Sequence, residues 1–144
     1  ALGAVDADGK VVWDQELLEQ LQLKIENLKL KIDDEMEEIK RRERIYRQGE
    51  KPLDVKNKTA ILVDDGIATG ATVLSAVRYL KRHGAKKIIL AIPVASAETA
   101  EKINREVDES VVLHTPDYFQ AVGQFYQDFL PVSDEEVVSL LNHG

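Results

Sequence analysis

Cysteine is absent from the 144 residues, which excludes disulfides, thiolate nucleophiles and thiolate zinc sites and is consistent with a reducing, cytoplasmic setting. Cations are in the minority: 19 Lys and Arg face 26 Asp and Glu, a formal charge of −7. A chain without a cation excess lacks the counterion release that drives binding to polyanions, so no nucleic-acid partner is expected. No apolar run approaches the roughly 18 to 20 residues that span a bilayer, and the first residues do not form a cationic, apolar leader, so no membrane partner is expected either. The three histidines, His83, His114 and His143, are scattered without partners at metal-ligand spacing, so no metal-ligating side chain is named and all three are taken as surface or packing residues. A Walker A string, a Gly-x-Gly-x-x-Gly and a Gly-x-Ser-x-Gly elbow are missing too.

What is present is the balance of a folded protein, 44% hydrophobic and 31% charged, at a length suited to a single domain over 1–144. The first residue is Ala1, inside an apolar stretch, so a processed or truncated chain is expected. Residues 1–5 and 10–13 flank Asp6-Ala7-Asp8-Gly9 and predict a hairpin. From Asp14 the apolar period lengthens: Leu18, Leu21, Ile25, Leu28, Ile32, Met36 and Ile39 share one helical stripe, predicting a long amphipathic helix closed by Gly49 and Pro52. The stripe is near a heptad, so a homo-dimeric coiled coil is conceivable, but Glu35 falls on a position a strict heptad keeps apolar. A helix lying on the domain is preferred. Beyond it, apolar runs at 59–63, 87–94 and 111–113 alternate with helical patterns at 73–82 and 97–106, the order of a mostly parallel α/β sheet flanked by helices. Strands apolar throughout predict a sheet covered on both faces. A C-terminal tail gathers Tyr118, Phe119, Phe125, Tyr126 and Phe129, and Ser133-Asp134-Glu135-Glu136 opens a last helix.

The chemistry concentrates at 61–72. An apolar strand delivers Asp64 and Asp65 to its carboxyl end, expected to be the tip of a central strand, where open α/β sheets bind ligands. Ala68, Thr69, Gly70, Ala71 and Thr72 then form a small-residue turn running into a helix. Free N–H groups and the helix dipole favour an anion there, and a phosphate monoester fits. Charge-assisted hydrogen bonds contribute roughly 1.5 to 3 kcal/mol each, so four or five would hold one phosphate without lysine. The carboxylates would accept from vicinal sugar hydroxyls and help position a Mg²⁺ shared with a diphosphate. Gly70 is expected to let the ligand approach the backbone, with Gly70→Val shutting the ligand out and leaving the fold largely intact.

This stretch, Asp64-Asp65-Gly66-Ile67-Ala68-Thr69-Gly70-Ala71-Thr72, resembles the signature of the type I phosphoribosyltransferase family, and 41–47 with 121–126 look like its predicted phosphoribosyltransferase branch. The resemblance implies that Asp64 and Asp65 contact the ribose of phosphoribosyl pyrophosphate and that residues 68–72 grip its 5′-phosphate. It further implies Mg²⁺, release of pyrophosphate, and a small-molecule acceptor, by default a nucleobase. The family's earlier strand, whose loop binds pyrophosphate, would lie before Ala1, so the domain is expected to be incomplete at its N-terminus. Arg42, Arg44 and Arg47 would close over pyrophosphate or simply suit a helix C-terminus; Tyr46 would stack on a base or pack. The aromatic tail would form a hood over the base or belong to the core. The rival function is a non-catalytic sensor of phosphoribosyl pyrophosphate or nucleotides.

Overall fold

A computed structural model describes residues 2–23, 25–48 and 53–142, with only the backbone at 26 and 27. The predicted hairpin forms, β1 (Gly3–Val5) pairing antiparallel with β2 (Val11–Trp13). Asp6 organises its turn: the carboxylate, almost fully buried, accepts from the Asp8 and Lys10 amides and pairs with Arg82.

The long helix is interrupted. α1 (Gln15–Gln20), capped by Asp14 Oδ1 on the Leu17 amide at 3.1 Å, stops where Gln22 enters the left-handed region at φ 52°. The Leu23 N–H reaches back to the Leu18 carbonyl at 3.0 Å, the bond pattern that closes a helix end. Leu18 is buried at this corner, which breaks the apolar stripe before a 3₁₀ turn at Ile25–Leu28 and α2 (Lys29–Tyr46). α2 has no fully buried residue, and Leu30 is 79% exposed. The helix lies on the domain through its C-terminal half. Arg41 and the Tyr46 hydroxyl both bind the Asp134 carboxylate, at 2.5 and 2.6 Å, tying α2 to α5 (Asp134–Asn142). The predicted stop at Gly49 and Pro52 lies outside the described residues.

The alternating half folds as expected, with β3 (Thr59–Val63), α3 (Ala71–Arg82), β4 (Lys87–Val94), α4 (Ala97–Asn104) and β5 (Glu109–His114). The strands are parallel in the order β3-β4-β5, so Val63, Ala91 and Val111 lie side by side. Both helices lie on one face of the sheet. There Val73, Leu74, Val77 and Leu80 of α3 and Ile103 of α4 meet Ile88, Leu90 and Ile92 of β4, with the hairpin's Val12 joining the same core.

Two expectations fail here. β3 is an edge strand among the described residues, not a central one. Among the described residues the sheet is also covered on one face only: Ile61, Val63, Val111 and Leu113 are 53 to 78% exposed on the other. An apolar run shows that a strand can be buried on both sides, but not that anything covers it.

Candidate functional site

The strand-to-helix turn after β3 holds all the predicted site residues together. Asp64 is half-buried at the strand end and accepts the Asp65 amide at 2.9 Å, while the Asp65 side chain is exposed. Burial, and then repulsion from Asp65, raise the Asp64 carboxyl above its usual range, partly offset by that amide. Ile67 anchors the turn by donating to the Val94 carbonyl at 2.9 Å.

Beyond it the backbone opens. The next amide with a protein acceptor is Leu74, bonded to the Gly70 carbonyl at 2.9 Å. Among the described residues, none of the six amides of 68–73 donates to a protein group. Gly70 is the N-cap of α3 and supplies no side-chain cap, whereas Asp14 and Ser96 cap α1 and α4. Ala68, Thr69 and Thr72 are exposed; Gly70 and Ala71 are buried. A helix start with unsatisfied donors and no acidic residue in its first turn is complementary to an anion.

Gly70 has a different structural reason from the one expected. Its φ of 80° is left-handed, and a Cβ there would stand 3.0 Å from both Ile103 Cδ1 and Thr99 Cγ2 on α4. The added carbon would thus meet the core beneath the turn, so Gly70→Val would disturb packing rather than leave the fold intact.

Three contacts at the turn carry no motif. The Thr99 hydroxyl donates to the Ala68 carbonyl at 2.9 Å. The Tyr126 hydroxyl donates to the Asp65 carbonyl at 2.6 Å. A Cβ on Gly66 would lie 2.7 Å from Val122 Cγ1, so only glycine admits the 3₁₀ turn Val122–Phe125 this close. The aromatic tail therefore sits against the acidic end of the site, with Phe119 stacked on Phe125 and Tyr126 tilted on Phe129.

Part of the basic stretch is already paired within the protein. Arg41 and Arg42 grip Glu38, with 2.6 Å contacts, and hold its carboxyl down at about 2. The Tyr46 hydroxyl is engaged by Asp134. Arg42 also lines a cavity of about 500 Å³ between the hairpin and α2, walled by Val5, Trp13, Ile32 and Ile39 and reaching Thr72. Of the histidines expected to be surface or packing residues, His83 stacks on Tyr79 and pairs with Asp8, and His114 meets the edge of Phe125; His143 lies outside the described residues.

A parallel α/β layer with an open turn beyond one strand belongs to the class of proteins that bind ligands at the carboxyl ends of their strands. Within it, the chain belongs to the phosphoribosyl transferase family: the family described as "Phosphoribosyl transferase domain" matches residues 7–129. Over its whole length the chain is 35% identical to a protein named "Putative phosphoribosyl transferase" in two strains of Mycobacterium tuberculosis, of which it spans 32%. It therefore covers about a third of those relatives. A ribose-phosphate pyrophosphokinase of Thermococcus kodakarensis is 40% identical over 65 residues, 44% of this chain and 23% of that protein. The crystal structure of TT1426 from Thermus thermophilus superposes with a TM-score of 0.74 at 33% identity, covering 99% of this chain and 67% of that one.

Proposed function

We propose that the turn binds the 5′-phosphate and ribose of phosphoribosyl pyrophosphate and that the protein transfers the phosphoribosyl group to a small acceptor, a nucleobase by default. The observation that carries this is the run of six undonated amides at 68–73 directly after a carboxylate pair. The phosphate would sit on the amides and the α3 dipole, and the ribose hydroxyls would donate to Asp64 and Asp65.

In the reaction, an acceptor nitrogen attacks the anomeric carbon as its bond to pyrophosphate breaks. Pyrophosphate leaves with the bonding electrons and the acceptor loses a proton. Positive charge grows on the sugar, and the two carboxylates would favour it electrostatically. Binding energy at the remote 5′-phosphate would orient the reacting carbon. Mg²⁺ fits this site only as a guest: no group of three or more acidic or histidine side chains able to hold a metal occurs among the described residues. Asp64 and Asp65 would hold its inner or outer water shell, and the ion would supply charge neutralisation on the diphosphate.

Calorimetry with Mg²⁺ and phosphoribosyl pyrophosphate, run on the full-length protein beside a pyrophosphate-release assay over a panel of bases, tests the reading. Binding with base-dependent release is expected. Binding without release for any acceptor would favour the sensor, and no binding would overturn both.

A further inference from the structure

We infer that Thr99 is a positioning residue for the phosphate-binding turn, using its hydroxyl and its methyl as two separate holds. The inference deepens the sugar-phosphate reading above and rests on it for its function. Thr99 lies on α4 and is only 9% exposed, yet its hydroxyl is not needed to cap that helix. Ser96 does the capping, its Oγ accepting the Thr99 amide at 3.2 Å. The Ser96 hydroxyl proton goes to Thr99 Oγ1 at 2.9 Å, which leaves the Thr99 proton for the Ala68 carbonyl. The result is a chain of hydroxyls ending on the turn, with every donor used.

The consequence follows from peptide geometry. In a trans peptide the C=O of one residue and the N–H of the next point in opposite directions, and no described peptide bond is cis. Drawing the Ala68 carbonyl inward to α4 therefore aims the Thr69 N–H outward, to the side on which Thr69 and Thr72 are exposed. Without that hold the Ala68–Thr69 peptide is free to rotate, and the donor leaves the cradle. The Thr99 methyl meanwhile fills the place a Gly70 side chain would take, 3.0 Å from the position of its Cβ, and so supports the residue that opens α3.

The test separates hydroxyl from methyl, and hold from ligand. Thr99→Val removes the hydroxyl at constant shape, and the pair Thr99→Ser and Thr99→Ala makes the same comparison without the methyl. Ribose 5-phosphate affinity is measured by calorimetry, and the order parameter of the Thr69 amide by ¹⁵N relaxation in the absence of ligand. Thr99→Val should weaken ribose 5-phosphate about five- to tenfold and lower the Thr69 order parameter while the folded circular-dichroism spectrum is kept. Thr99→Ser should bind several-fold more tightly than Thr99→Ala. Unchanged affinity and order in Thr99→Val would overturn the inference, as would Thr99→Ser and Thr99→Ala binding equally. If the parent protein binds no ribose 5-phosphate, the sugar-phosphate reading fails by itself. Loss of Thr69 order in Thr99→Val would then still support the hold, and unchanged order would refute it.

Discussion

Gly70→Ala is the sharpest test of how the turn is built, because two costs meet there and a second glycine separates them. The first is conformational: an L residue held at φ 80° loses roughly 1–2 kcal/mol relative to glycine. The second is steric. The new Cβ would stand 3.0 Å from Ile103 Cδ1 and Thr99 Cγ2, and Ile103 is completely buried, so relief requires moving a core side chain. Adding a carbon to a filled core typically costs about 1–3 kcal/mol. The sum is about 2–5 kcal/mol, a fall in thermal midpoint on the order of 7–17 °C for a chain of this size. Gly84 has nearly the same backbone, φ 77°, but its Cβ would meet only Lys56 Cγ at 3.5 Å, an ordinary contact with a flexible side chain. Gly84→Ala should therefore show the first cost alone. Circular-dichroism melts of both variants against the parent decide the matter. Equal losses in the two would refute the packing argument, and a drop below about 2 °C in Gly70→Ala would refute both components.

Two more predictions concern charge. Because burial and Asp65 raise the folded-state value of Asp64, the folded chain holds that proton more tightly than the unfolded one, and the group costs stability once the pH exceeds both values. Asp64→Asn should thus melt higher than the parent at pH 7, lose that advantage as the pH falls below the ordinary Asp range, and bind ribose 5-phosphate poorly; a lower midpoint at pH 7 would contradict the assignment. Asp134 shows the opposite sign, lowered by its bonds to Arg41 and Tyr46, so its stabilisation is present at neutral pH and lost on acidification through its folded value. Asp134→Ala should release α5 from α2 while leaving the sheet intact, with amide exchange several-fold faster in α2 and α5 and unchanged in β4; uniform exchange changes would count against the clamp.

Much of this architecture is legible in the residues. Apolar runs at 59–63 and 87–94 specify the strands, and Gly70 with its threonines announces the turn, since small residues between an apolar strand and an amphipathic helix have few other uses. The interruption at Gln22 is not legible, because nothing in Leu21-Gln22-Leu23 disfavours helix locally; burial of Leu18 at the corner overrides propensity. The bare sheet face is equally hidden: Ile61 and Val111 look the same in sequence whether covered or open. Thr99 escapes because its partner Ala68 is 31 positions away, and a hydroxyl on a helix carries no spacing signal. The tail's attachment through Tyr126 and Val122 depends on Gly66, whose smallness reads as part of the acidic turn until the neighbour is seen.

Trp13 is the sole tryptophan, and it stands in the wall of the cavity between the hairpin and α2. This chain thus carries a built-in optical reporter where α2 faces the start of α3. Emission wavelength and quenching of that indole follow the seating of the helix directly, with no dye attached and no competing indole to subtract.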